Sequence, residues 1–168
     1  ALSKRLYTAD LLSSESLLKS LFQLDKYNGN KINVVFNNFQ PSTQLKSFEN
    51  PPLYVDMSIS LTVRVLKYLI DSSVKINKII YTSSSSVYGD SSITDEESQP
   101  CPVSIPSSLK HLNEQFLEQI CCQYKLNLTI ARVFNMYGGN DEFSIIRKIH
   151  DCYLSKKVLS IFNNGESV

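Results

Sequence analysis

The chain contains no tryptophan, and only five of its 168 residues are glycine. Lysine and arginine total 17 against 16 acidic residues, so the net charge of +1 provides no field that attracts nucleic acid or an anionic membrane. No apolar run approaches the roughly 20 residues that a bilayer span requires, and no signal-peptide core is recognisable. We therefore predict a cytoplasmic protein that binds neither nucleic acid nor membranes.

Cysteine is also scarce, with four residues in the whole chain: Cys101, Cys121, Cys122 and Cys152. Their spacing lacks the paired C-x-x-C pattern of a zinc site, and their density is far below that of a secreted disulfide scaffold. We expect reduced, mostly buried thiols and no metal site.

Apolar residues make up 42% and charged residues 20%, which is ordinary for one globular domain. Short β-branched or aromatic runs predict strands at 33–36, 78–82, 127–133 and 158–162, with a weaker strand at 5–8. Apolar residues at three- and four-residue steps predict helices at 14–27, 52–72, 107–124 and 143–154. This alternation predicts an α/β fold, in which right-handed crossovers join parallel strands.

Two segments carry polar residues directly after predicted strands, where parallel sheets bind their ligands. They are KIIYTSSSSVYGD at 78–90 and ARVFNMYG at 131–138. A polar turn that merely caps a strand is the alternative interpretation of the serine run. Together the segments resemble NAD(P)-dependent nucleotide-sugar epimerases and dehydratases of the extended short-chain dehydrogenase/reductase family, of the UDP-glucose 4-epimerase type.

The resemblance assigns roles to individual residues. It implies that Ser84 is the hydroxyl that holds the reacting sugar oxygen, that Lys110 is the catalytic lysine, and that Asn135 faces the sugar nucleotide. It also implies NAD or NADP as the cofactor and a nucleotide sugar as the partner. Besides Lys110, the residues that align with the family's cofactor contacts are Asp10, Leu11, Phe39 and Val133.

In this family the cofactor takes a hydride from the sugar while a tyrosinate removes the hydroxyl proton. The lysine lowers the pKa of that phenol from about 10 toward neutrality by stabilising the phenolate. Here the position four residues before Lys110 is Pro106, which has no ionisable group. The tyrosine's role therefore cannot be filled at residue 106.

Two further features depart from the family pattern. Phe39 stands where small residues normally face the cofactor, and the sequence contains no Gly-x-x-Gly-x-x-Gly turn for the pyrophosphate. We interpret residues 1–168 as a partial Rossmann-like domain with a doubly wound parallel sheet, lacking the first βαβ glycine-turn unit and most of the substrate domain. We expect weak dinucleotide binding by this chain alone, and the incomplete sheet favours a homodimer or larger assembly that covers it.

Two functions remain open at this point. One is an enzyme that uses Ser84 and Lys110 with a different base, and the other is a non-catalytic structural or regulatory subunit that keeps the fold. Because no phenol precedes Lys110 at residue 106, a solvated helix residue is the alternative interpretation of this lysine.

Overall fold

The computed structural model describes residues 31–37, 44–72, 74–90, 95–139 and 144–161. The predicted strand at 5–8 and the predicted helix at 14–27 lie outside these residues. The described part forms one layer of strands with helices between them, so the predicted α/β class is confirmed.

The sheet of the described residues has three parallel strands in the order β1 (Lys31–Phe36), β2 (Lys75–Ser84) and β3 (Leu128–Val133). Val35 is paired with Ile80, which in turn is paired with Thr129. The central residues of each strand were predicted correctly. The apolar pattern places the start of β1 two residues too late and the start of β2 three residues too late. Because the strand order is sequential, right-handed crossovers place the connecting helices on one face of this sheet.

The first crossover contains α1 (Gln44–Glu49), α2 (Pro51–Val55) and α3 (Leu61–Asp71). Asn50 caps α2, because its side-chain oxygen accepts a hydrogen bond from the backbone N–H of Leu53 at 3.2 Å. A π-helical turn at Asp56–Ser60 separates α2 from α3, so the helix predicted at 52–72 is not a regular α-helix throughout. The second crossover contains α4 (Ile105–Gln123), and α5 (Ile145–Ser155) follows β3.

The core lies between the sheet and helices α3 and α4. Ile79 of β2, Leu66 of α3 and Leu117 of α4 are each fully inaccessible to solvent. Full burial of such a side chain stabilises the fold by roughly 1.5–3 kcal/mol, so these contacts fix α4 against β2. That packing determines where the polar residues at the carboxyl end of the sheet lie.

The strand predicted at 158–162 is wrong for its described part, since residues 157–161 have no regular structure and Val158 is 93% exposed. A strand needs a neighbour for its N–H and C=O groups, and within the described residues β3 pairs with β2 alone. The apolar pattern at 158–162 therefore predicted a strand, but its described part forms no hydrogen-bonded pairing with a neighbouring strand.

The expectation of mostly buried thiols is also wrong, because Cys101 and Cys122 are exposed while Cys121 is buried. Cys122 follows Cys121 on α4, and consecutive helical residues point about 100° apart, so the pair cannot share one face. All four thiols are free. Among the residues that the structure describes, no helix is long and apolar enough to span a membrane, and no cluster of potential metal ligands is found.

Candidate active site at the carboxyl end of the sheet

The serine run forms the end of β2 and a 3₁₀ turn. Ser84 is the last residue of the strand, and the turn spans Ser85–Tyr88. The Ser84 hydroxyl oxygen accepts hydrogen bonds from the backbone N–H of Ser86 at 3.2 Å and from the Ser86 hydroxyl at 2.9 Å. Ser84 thus caps the turn, and within the part of the chain that the structure describes its own O–H is not engaged as a donor.

Gly89 ends this turn with φ at +70°, a conformation that side-chain-bearing residues rarely adopt. A Cβ atom built on Gly89 would lie 2.2 Å from the carbonyl oxygen of Cys101. The backbone N–H of Cys101 donates to the carbonyl oxygen of Val87 at 2.9 Å, so the two segments cross in direct contact. The glycine of the Val-Tyr-Gly motif is therefore required by backbone geometry.

Helix α4 begins at a capping box, in which the side chains of Ser104 and Ser107 each bond the other's backbone N–H. Pro106 lies in the first turn, where its missing N–H is not needed and its fixed φ suits the helix. Lys110 follows one turn later. Residues four apart lie on the same face of a helix, so residue 106 is the position from which a side chain could reach Lys110.

Lys110 is partly buried against β2. Its ammonium donates to the carbonyl oxygen of Thr82 at 2.8 Å and lies 5.1 Å from the ring centroid of Tyr81. Burial lowers the pKa of Lys110, and the negative charge of Glu114 partly opposes that effect. The interpretation of Lys110 as a solvated helix residue is thus wrong.

The remaining donors of Lys110 matter for ligand binding. An ammonium has three N–H donors, and in the described part of the chain only the bond to Thr82 uses one of them. Two donors are therefore left to bind an oxygen-rich ligand.

The predicted site residues that the structure describes lie at one edge of the sheet. Ser84 and Val133 are register partners at the carboxyl ends of β2 and β3, and Asn135 is exposed two residues beyond Val133. The Lys110 ammonium meets β2 at Thr82, close to the same edge. The predicted cofactor residues Asp10, Leu11 and Phe39 lie outside the described residues.

Sequence reasoning missed a buried ionic network beside this edge. Glu114 of α4 has a side chain only 2% exposed, and its two carboxylate oxygens accept hydrogen bonds from Arg132 of β3 at 3.1 and 2.9 Å. The third Arg132 nitrogen, Nη1, donates to the hydroxyl of Tyr88 at 2.9 Å. The signal that could have found the pair is positional: Glu114 shares the helix face of Leu117, and Arg132 shares the strand face of apolar Ile130.

A groove of about 490 Å³ opens along the outer edge of β3. Its lining includes the carboxylates of Asp95, Glu96 and Glu118, while the guanidinium of Arg132 already pairs with Glu114. An anionic pyrophosphate would be repelled there. The groove is therefore not a candidate binding site for the nucleotide. The candidate nucleotide site is the carboxyl edge of the sheet.

The sequence profile of the NAD dependent epimerase/dehydratase family matches residues 3–168, which is nearly the whole chain. The chain belongs to that family. Among curated relatives, UDP-glucuronate 4-epimerase of Thermodesulfobacterium geofontis is 28% identical over 169 residues, covering 93% of this chain and 51% of that protein. The chain spans about half the length of the curated epimerase relative, so the activity of the whole protein is a matter for proposal.

Solved structures of this epimerase/dehydratase family share the fold. UDP-glucose 4-epimerase of Thermotoga maritima with UDP-glucose has a TM-score of 0.77 at 23% identity, covering 95% of this chain and 52% of that one. UDP-glucuronic acid 4-epimerase of Bacillus cereus, in complex with UDP-glucuronic acid and NAD, has a TM-score of 0.71 at 26% identity, covering 93% and 47%. The Rossmann-like class predicted from the sequence is thereby confirmed.

The described residues fit part of the cofactor that the family name implies. A partly buried lysine with two unused donors suits the hydroxyl groups of a nicotinamide ribose, and Lys110 is such a residue. Val133 lies at the same edge, three residues along β3 from Ile130, the register partner of the Tyr81 whose ring Lys110 contacts. The described residues therefore fit the nicotinamide end of a dinucleotide.

Proposed function

We propose that the carboxyl edge of this sheet recognises a nucleotide sugar together with NAD or NADP, in a protein whose family chemistry is transient hydride transfer from the sugar. The observation that carries the proposal is the anchoring of Lys110 at Thr82, with no other hydrogen bond to the described residues, beside a strand that ends in the Ser84 hydroxyl. Family membership and the name of the curated relative support the substrate class.

In this proposal each residue has one task. Ser84 donates a hydrogen bond from its hydroxyl group to the oxygen at the reacting sugar carbon, since its own oxygen already accepts hydrogen bonds from Ser86. Lys110 holds the ribose through its unused donors, and Asn135 contacts the sugar nucleotide from its exposed position. A bound nicotinamide would accept the hydride from that carbon.

The proton-transfer task is the one that these residues leave unfilled. Proline at position 106 has no acidic or basic group, and the hydroxyl groups of Ser104 and Ser107 in the same turn are engaged in the capping box. Tyr81 contacts Lys110, but burial raises the pKa of its phenol above the ordinary value, which disfavours the phenolate. The raised pKa of Tyr81 therefore argues against this phenol as a replacement for the family's tyrosine.

Pro106 favours a second candidate function, a non-catalytic structural or regulatory subunit that binds the ligand without turning it over. The two candidates differ in one observable. An enzyme with another base reduces the nicotinamide transiently, whereas a binding subunit does not.

The experiment combines turnover and binding. The protein is mixed with NAD or NADP and with a panel of uridine-, guanosine- and thymidine-linked sugars, and the absorbance band of reduced nicotinamide is recorded. Saturation-transfer NMR, which detects binding in the millimolar range, is recorded on the same mixtures.

A binding signal with the reduced band supports the enzyme, and a binding signal without it supports the non-catalytic subunit. Absence of any binding signal for every sugar, with either cofactor, would overturn the proposal.

A further inference from the structure

Arg132 joins three separate parts of the fold. It lies on β3, its guanidinium forms two hydrogen bonds with the carboxylate of Glu114 on α4, and a third nitrogen donates to Tyr88 in the turn after β2. The Arg132 Cζ atom also lies 4.9 Å from the centroid of the Tyr88 ring. Strand, helix and turn therefore meet at one side chain.

The chemistry of this junction requires arginine. A guanidinium presents several N–H groups in a fixed plane, so it can bind a carboxylate through two of them and a hydroxyl through another. A lysine ammonium is a compact point charge and cannot reproduce both contacts in this geometry. Glu114 also raises the pKa of Arg132, so the guanidinium stays charged at every relevant pH.

The two partners of Arg132 adjoin the two central residues of the candidate site. Glu114 lies one helical turn after Lys110 on α4, and Tyr88 ends the turn that Ser84 caps. The turn is also packed through Val87, which is fully buried, and its hydroxyl cap at Ser84 is formed within the turn itself. Lys110 is anchored directly to the strand at Thr82, so the bridge between Tyr88 and Glu114 bears on how the turn after Ser84 is held against α4.

We propose that Arg132 is a positioning residue, which holds the Ser84 turn against the helix that carries Lys110. The relevance of this inference to ligand binding rests on the proposed function. The ordering of the turn itself can be measured without any ligand. The competing explanation is that the network only stabilises the fold. The two explanations differ when the ionic pair is replaced by apolar side chains.

Replacing a whole buried ion pair by apolar residues of similar volume often leaves stability unchanged or increases it, whereas removal of one partner is strongly destabilising. The double variant Arg132→Met with Glu114→Leu therefore removes the bridge while keeping the fold. A second variant, Tyr88→Phe, removes only the hydroxyl group that Arg132 binds and keeps the buried ring.

The measurement is amide hydrogen exchange, residue by residue. The reporters of the turn are the backbone N–H of Gly89, which donates to Ser86, and the N–H of Cys101, which donates to Val87. The internal control is the N–H of Ile79, which donates to Asn127 in the sheet. Local opening and global unfolding are thereby recorded in one experiment.

We expect exchange at Gly89 and Cys101 to be at least about tenfold faster than in the parent in both variants, with the control amide unchanged. Saturation-transfer NMR should show weaker nucleotide-sugar binding by the same variants. Parent-like exchange at the turn in both variants would overturn the proposal, as would an equal rise at the turn and at the control amide. If the parent binds no nucleotide sugar, the proposed function fails while the exchange result still decides the role of Arg132.

Discussion

Replacing Arg132 by methionine should destabilise the fold severely, because it leaves a buried carboxylate without its partner. The Glu114 side chain is 2% exposed and that of Arg132 is 20% exposed, so water cannot replace the guanidinium. Breaking a buried pair by removing one partner costs about 3–5 kcal/mol. For a chain of this size each kcal/mol lowers the melting temperature by about 2–4 °C, so we expect a loss of roughly 6–20 °C.

The assay is urea unfolding followed by circular dichroism, which suits a chain that has no tryptophan. The control is Arg147→Met, since Arg147 and Asp151 form an ion pair on α5 with side chains 43% and 52% exposed. An exposed pair contributes about 0–1 kcal/mol, so this variant should resemble the parent. The double variant Arg132→Met with Glu114→Leu should recover most of the lost stability.

A destabilisation by Arg132→Met no larger than that of Arg147→Met would refute the reasoning. So would a double variant that is as unstable as the sum of its two single changes, because the cost would then not arise from an unpaired charge.

Three shorter predictions concern the turn, the lysine and the missing phenol. Gly89→Ala should lower the free energy of unfolding, measured with urea, by about 1–3 kcal/mol, clearly more than Gly139→Ala. Both glycines have positive φ, but only a Cβ at residue 89 would meet a carbonyl oxygen. Equal losses in the two variants would contradict this prediction. Lys110 should lose its proton at a lower pH than Lys67, whose pKa is raised by Asp71, when both are followed by NMR of ¹³C-methylated lysines; the reverse order would be contrary evidence. At pH values between the lowered pKa of Lys110 in the folded protein and the pKa of this lysine in the unfolded chain, the unfolded chain binds more protons than the folded one. The contribution of Lys110 to the free energy of unfolding therefore rises with pH over that range. Pro106→Tyr should restore a phenol near Lys110 without hydride transfer, because proton transfer is useful only beside a firmly positioned cofactor; any reduced-nicotinamide band in this variant would show otherwise.

Much of the fold follows from local patterns. The strands at 78–82 and 127–133 and the helix at 107–124 lie where apolar periodicity indicates them, since burial on one or both faces leaves a strong period in the sequence. The strand at 158–162 shows the limit of that signal. An apolar run is necessary for a buried strand, but pairing depends on a neighbour that the run itself does not specify.

The π-helical turn at Asp56–Ser60 was not predictable from periodicity. It inserts one extra residue per turn, and the apolar pattern on both sides continues nearly unchanged. Its stabilising contact is distant in sequence, because Asn113 of α4 donates to the hydroxyl oxygen of Ser58 at 2.8 Å. Interactions between residues 55 positions apart leave no local signature.

The positions of the candidate site residues in the fold were predictable only in part, because some of the contacts there join residues distant in sequence. The motif around Ser84 and the lysine at 110 are local in sequence, and the structure places Ser84, Lys110 and Val133 at one edge of the sheet. The pairing of Glu114 with Arg132 joins a helix and a strand, and a charged residue on a helix is usually solvated. Only the assembled sheet reveals that this carboxylate is buried.

The measurement that tests the account most directly is nucleotide-sugar binding by Lys110→Met beside Lys67→Met. Lys110 is anchored at Thr82, whereas Lys67 lies on α3 in an exposed pair with Asp71, so the two variants remove the same charge at different places. Saturation-transfer NMR with a UDP-linked sugar and NAD should show binding by the parent and by Lys67→Met, and its loss in Lys110→Met. Undiminished binding by Lys110→Met would contradict the claim that the carboxyl edge of the sheet is the binding site.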